Sequence, residues 1–168
     1  MILNKPKYWD KKIGIISILL FPLTIIVLIT NFLKKKLIVA KKFNFPIICV
    51  GNIYVGGTGK TPTSIFLANE LKKLGRNPAI LRKFYETHTD EYNLIKKHFS
   101  NLILNKNRLE GIKSKMRNFD SVILDDGFQD YTIKKNLSII CFNQNQMIGN
   151  GMVLPSGPLR ESIYSLKR

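Results

Sequence analysis

A short apolar run, PIICV at 46–50, leads directly into GNIYVGGTGKT at 51–61, and a helical pattern of apolar residues begins immediately afterwards. A strand, a glycine-rich turn and a helix in that order commit this stretch to a parallel sheet, because the helix must carry the chain back across the sheet before another strand can start. The turn has the chemistry of a phosphate cradle. Tyr54, Val55, Gly56, Gly57, Thr58 and Gly59 supply backbone N–H groups, Lys60 adds a mobile positive charge, and the Thr61 hydroxyl can ligate Mg²⁺. The full pattern G-x-x-x-x-G-K-[ST] would place its first glycine on Tyr54, so a plain glycine turn capping a helix is the competing reading at this point.

The rest of the chain repeats the alternation. TPTSIFLANELKKLG (61–75) has Ile65, Leu67, Ala68, Leu71 and Leu74 at helical spacing, with Pro62 in the first turn and Gly75 as a stop. NPAIL (77–81), NLIL (101–104), SVILDD (121–126) and LSIICF (137–142) read as further strands, RLEGIKSKMRNF (108–119) as a basic helix, and 83–98 as a polar loop with a short helix. The predicted fold is α/β, a parallel sheet with flanking helices of the kind that binds nucleoside triphosphates. SVILDD ends in Asp125 and Asp126, and strand ends of a parallel sheet converge on one edge, where the ligand crevice forms. A carboxylate there reaches Mg²⁺ opposite the loop threonine. The competing reading is a turn acid, since Gly127 follows. Asp90-Glu91 forms a second acidic spot, and a kinase needs such a carboxylate to take a proton from the acceptor hydroxyl.

Residues 13–33 are 21 consecutive uncharged residues, roughly 30 Å as one helix and close to the thickness of a hydrocarbon core. Lysines bracket them on both sides. A spanning anchor and a helix lying in the interface, kinked at Pro22, are both open, and Ser17, Thr24 and Asn31 form a polar stripe at seven-residue spacing. The chain carries 27 Lys+Arg against 11 Asp+Glu, and residues 1–42, with nine lysines and Asp10 as their one acid, hold half of the net charge of +16. That balance calls for anionic partners; with so much of it bracketing an apolar segment, and no motif of stacking aromatics, no nucleic acid is expected among them. Cys49 and Cys141 fall in apolar runs with no disulfide or metal spacing, and His88 and His98 are isolated. The expected organisation is a membrane-associating segment over 1–42 and a P-loop core over 43–168.

Three motifs in order, GNIYVGGTGKTP (51–62), DDGFQD (125–130) and GNGMVLPSGPLRE (149–161), resemble the tetraacyldisaccharide 4'-kinase family, the lipid A 4'-kinases. The resemblance implies a membrane-associated P-loop kinase that transfers the γ-phosphate of ATP, with Mg²⁺, to the 4'-hydroxyl of a tetraacylated glucosamine disaccharide 1-phosphate. In that family the loop commonly lacks the first glycine. Lys60 and Thr61 would hold phosphates and Mg²⁺, Asp125 and Asp126 would serve the metal, and Asp90 matches the base. Arg82 matches the arginine of a Ser-Arg-Gly-Tyr-Gly motif whose other residues are changed here, Thr89 replaces a glycine before Asp90, and Asp130 stands where the family usually has His. The implied partners are the acylated substrate, membrane lipids and a separate C-terminal domain, since family members run to about twice this length. The implied location is the cytoplasmic face of the inner membrane, peripheral or single-pass. The alternative is a membrane-tethered nucleotide-binding module without transfer activity of its own.

Overall fold

A computed structural model describes residues 5–115 and 118–167. Five strands form one parallel sheet: β1 (Ile47–Gly51), β2 (Pro78–Lys83), β3 (Leu102–Asn105), β4 (Ser121–Asp125) and β5 (Leu137–Ile140), in the spatial order β3-β2-β4-β1-β5. β4 is inserted between β1 and β2, so the crossover from β1 to β2 passes over it. The register pairs Val50 with Asp125 and Arg82 with Asp125, which brings the ends of three strands to one edge.

Helices α3 (Lys60–Lys73), α4 (Thr89–His98) and α5 (Arg108–Lys115) flank the sheet. The apolar positions read at helical spacing in α3 are those that pack: Ile65 and Ala68 join Val50, Ile80, Ile95, Phe99 and Ile123 in one buried cluster, with Leu67 and Leu71 against it. Each fully buried isoleucine there contributes about 1.5–3 kcal/mol relative to exposure. The expected strands and helices thus form, with ends shifted by a few residues; β2 runs on to Lys83, the polar stretch after it holds α4, and of the helix expected over 108–119, Met116 and Arg117 lie outside the described residues.

Gly51, last residue of β1, has a specific reason to be glycine. A Cβ there would lie 2.5 Å from Phe128 Cβ and 3.1 Å from the Phe128 backbone nitrogen. The end of β1 therefore packs directly on the turn after β4, and Gln129 Nε2 adds a hydrogen bond to the Asn52 carbonyl at 2.8 Å.

The chain separates into two compact units. The sheet unit comprises Val39–Asn52 and Gly59–Cys141, and the other gathers Met1–Ile38, Ile53–Thr58 and Phe142–Arg168. In the second unit the single helix expected over 13–33 is corrected to two, α1 (Ile15–Leu19) and α2 (Phe21–Leu37). Pro22 cannot donate a backbone hydrogen bond and its ring clashes with the preceding turn, so it sits at the start of a new helix and the chain breaks at Leu20. α2 in turn continues through Lys34, Lys35 and Lys36 to Leu37, placing those cations in its last turn, where they complement the helix dipole. No helix among the described residues is long and apolar enough to cross a membrane.

The orientation of these helices reverses the usual rule. Ser17 and Thr24 are buried, while Ile15 is 86% and Leu37 74% exposed, and Ile18, Leu19, Leu23, Ile26 and Phe32 are exposed as well. The polar stripe is the inward face. Thr24 Oγ1 contacts the Val153 carbonyl at 3.1 Å and Ser156 Oγ at 2.8 Å, Asn31 Nδ2 donates to the Arg160 carbonyl at 3.0 Å, and Asn150 Nδ2 donates to Ser17 Oγ at 3.2 Å.

Two substitutions test these contacts. Gly51→Ala should destabilise the chain by about 1–3 kcal/mol through overpacking against Phe128, measured by urea unfolding. Thr24→Val keeps the shape but leaves buried oxygens without their partner, and should cost about 1–3 kcal/mol in the same measurement; Thr30→Val, on an exposed position of the same helix, should cost far less.

Candidate active site

Asp125 is the organising group of the sheet unit. It ends β4 and is fully buried. Thr61, in the first turn of α3, donates from its hydroxyl to Asp125 Oδ2 at 3.1 Å, and Ser64, one turn later on the same face, donates to Oδ1 at 3.0 Å. Arg82, on the neighbouring strand β2, pairs with Asp125 and donates from Nη1 to Thr61 Oγ1 at 2.9 Å. The other guanidinium nitrogen, Nη2, pairs with Glu91 in the first turn of α4. One buried carboxylate thus ties together α3, β2 and β4, and through Arg82 reaches α4.

Asp126, the next residue, has φ at 53°, and its carboxylate lies 3.7 Å from Lys60 Nζ. Arg108, at the start of α5, holds this corner from the other side: its Nη2 donates to the carbonyls of Asp125 and Asp126 at 3.2 and 2.8 Å, and its Nη1 lies 3.6 Å from Asp130. Asp130 accepts from the backbone N–H and hydroxyl of Thr132 at 3.0 and 2.6 Å. Lys135 Nζ donates to the carbonyls of Phe128 and Asp130 at 2.8 and 2.6 Å. Asp130 thus closes the turn after β4.

Within the other unit, the first half of the glycine loop is braced by the third motif. The Val55 N–H donates to the Pro158 carbonyl at 2.9 Å, the Arg160 N–H donates to the Ile53 carbonyl at 2.6 Å, and Tyr54 bridges Leu159. Tyr54 occupies the consensus-glycine position as a buried anchor. Its hydroxyl lies 3.2 Å from Asp10, with Lys5 over its ring, and burial raises its pKa. Gly56 and Gly59 have φ of 126° and 77°, a backbone region that glycine enters without strain.

The structure thus brings Thr61 to Asp125 and Lys60 to Asp126. Asp90 lies exposed in the first turn of α4, beside Glu91. Ser64 and Arg108 were not singled out from the sequence. Ser64 carried a usable signal, since it lies three residues after Thr61 on one helical face; the position of Arg108 depends on where α5 packs. The donor set suits a hard divalent cation: a hydroxyl and two carboxylates, with no group of three His, Cys, Asp or Glu among the described residues to form an all-protein cage. Magnesium prefers such sparse sites, which leave room for phosphate and water oxygens.

Comparison with known proteins agrees with this fold. The family described as Tetraacyldisaccharide-1-P 4'-kinase matches residues 16–168. A tetraacyldisaccharide 4'-kinase of Pelagibacter ubique is 47% identical over 99% of this chain and 53% of its own length, and one of Coxiella burnetii is 34% identical over 95% and 57%. The crystal structure of LpxK from Aquifex aeolicus, an "apo" form in complex with ATP, superposes with a TM-score of 0.75 at 26% identity, over 92% of this chain and 57% of that one. The chain spans about half the length of the curated relatives it matches.

Burial pushes the Cys49 thiol up to about 11, with Lys135 and Arg108 partly offsetting it. Cys49 therefore stays a protonated, unreactive thiol at pH 8, becoming a thiolate in the folded chain only near pH 11. Iodoacetamide at pH 8 should modify the partly exposed Cys141 first and reach Cys49 only on unfolding, as read by peptide mass spectrometry.

Proposed function

The chain belongs to the tetraacyldisaccharide-1-P 4'-kinase family, and from that membership we propose that it carries the ATP-handling part of a lipid A 4'-kinase. The reaction is transfer of the γ-phosphoryl group of ATP to the 4'-hydroxyl of a tetraacylated glucosamine disaccharide 1-phosphate. The observation that carries this reading is the hydrogen bond from Thr61 to Asp125, which joins the end of the phosphate loop to the acid at the end of β4.

Lys60 is the cation for the β- and γ-phosphates, and the glycine loop's backbone N–H groups other than that of Val55, which the Pro158 carbonyl takes, are the donors around them. Thr61, Asp125 and Asp126 are the residues that would hold Mg²⁺. When bound, the metal neutralises charge developing on the transferred phosphoryl group. Asp90 accepts the proton of the 4'-hydroxyl as its oxygen forms a bond to the γ-phosphorus; the bond from that phosphorus to the bridging oxygen breaks, and ADP leaves. The exposure of Asp90 suits a base that must meet a substrate arriving from outside.

The acylated substrate belongs to a lipid surface. The outward apolar face of α1 and α2, with Lys11 and Lys12 before them and Lys34–Lys36 at their end, supports a seat in the interface, at the cytoplasmic side of the inner membrane. Lysines there would also attract the substrate's 1-phosphate. A separate C-terminal domain would supply the rest of the enclosure around the nucleotide.

The test is ³²P transfer from ATP to the tetraacyl disaccharide precursor, by the chain alone and with a supplied C-terminal half of a relative. Product is expected in at least one condition, and Lys60→Ala should abolish it. Asp90→Ala should bind ATP normally and lose transfer; loss of binding instead would reject Asp90 as the base. ATP binding with no transfer in either condition would leave a nucleotide-binding module in place of a kinase.

A further inference from the structure

Arg82 is a buried cation that the phosphoryl-transfer reading does not use. It is 4% exposed, on β2, directly across the ladder from Asp125. Its Nη1 holds Thr61 Oγ1 at 2.9 Å and pairs with Asp125 Oδ2, and those two oxygens are 3.1 Å from each other. They are the oxygens assigned above to the divalent cation. A guanidinium and a metal ion compete for them, because two positive charges a few ångströms apart in a dry interior repel strongly.

Arg82 has an alternative partner already in hand. Nη2 pairs with Glu91, whose side chain is 46% exposed and belongs to a different element, α4. Asp125 is fully buried, and among the described residues its carboxylate oxygens meet Thr61, Ser64 and Arg82. A buried carboxylate without a cation is costly, so some positive charge must accompany it whenever the chain is folded.

We propose that Arg82 is an internal stand-in for the metal: it neutralises Asp125 while no divalent cation is bound, and yields Thr61 and Asp125 to the cation by withdrawing onto Glu91. This rests on the reading of Thr61 and Asp125 as a magnesium–nucleotide site. Arg82 is then a positioning residue. It keeps the start of α3 registered on β4 in the empty chain, and it opposes binding of a metal ion that arrives without nucleotide. It also links metal loading to the first turn of α4, where Asp90 lies next to Glu91.

The experiment uses the full chain, with Mn²⁺ as the probe, followed by electron paramagnetic resonance without nucleotide. Arg82→Gln should bind Mn²⁺ about tenfold more tightly than the wild type, or better, because an opposing charge is gone. Arg82→Lys, which keeps the charge, should stay close to wild type. MgCl₂ should raise the unfolding temperature of Arg82→Gln more than that of the wild type, the metal restoring the missing counter-charge. Arg82→Gln binding Mn²⁺ no more tightly than wild type would overturn the proposal.

Should Arg82→Gln not fold, the wild type still decides. The ¹⁵N signals of the Arg82 guanidinium should shift on addition of Mg²⁺ and ADP, and signals unmoved at saturation would overturn the proposal. Thr61→Ala separates the two levels of the argument. If it leaves Mn²⁺–ADP affinity unchanged, the metal-site reading fails and this proposal with it. If it weakens that affinity while Arg82→Gln changes nothing, only the role given to Arg82 fails.

Discussion

Everything in the sheet unit depends on keeping the Asp125 carboxylate charged in a place water does not reach. Burying a carboxylate carries a penalty of several kcal/mol unless its oxygens are filled by donors and its charge is matched. Thr61 and Ser64 fill them from α3, and Arg82 matches the charge from β2. Those three contacts in turn dictate where α3 begins, how β2 sits beside β4, and, through Glu91, where α4 starts. The hydrophobic cluster of Val50, Ile65, Ile80 and Ile123 supplies most of the driving force for folding. It is indifferent to small sliding movements, whereas the hydrogen bonds on Asp125 are not. Apolar burial provides stability here, and the carboxylate provides registration.

The second unit obeys an opposite economy of polarity. Its helices turn Ser17, Thr24 and Asn31 inward, onto the carbonyls and hydroxyl of residues 153–160 and the amide of Asn150, and leave isoleucines and leucines facing out. In water alone this would be a poor arrangement, since most of the apolar area gains nothing. The proposed seat at a lipid surface would place the outward side chains in a matching solvent and leave the polar ones to find partners inside. The same 153–160 segment also pairs with Ile53 and Val55 of the glycine loop. The third motif, which no general nucleotide fold requires, thus serves two neighbours at once: the apolar helices and the first half of the loop.

Much of this was legible before any coordinates. Strand, glycine turn and helix follow from local chemistry at 46–75, and the alternation that follows leaves few alternatives to a parallel sheet. Asp125 was legible as a strand-end acid, and the seven-residue stripe of Ser17, Thr24 and Asn31 was visible as a stripe. What Pro22 does to a 21-residue apolar run was half legible: a kink was expected, and a full break with a new helix start was found. The task of Arg108 was not visible, because it depends on partners more than ten residues away in sequence, on an element whose placement is set by packing.

The sequence by itself therefore determined the elements, their order, the glycine-loop pattern of residues 51–61 and the family, since all of these are written in local spacing and in motif order. Only the tertiary structure decided that β4 lies between β1 and β2, that Arg82 rests on the same oxygens as Thr61, and that the polar stripe of the N-terminal helices faces in. The physical reason is common to all three. Periodicity reports which residues share a face, and it is silent on what that face meets. Charge and hydrogen-bonding partners are chosen only when separate segments are packed together, and a buried carboxylate or an inward threonine acquires its meaning from the segment opposite.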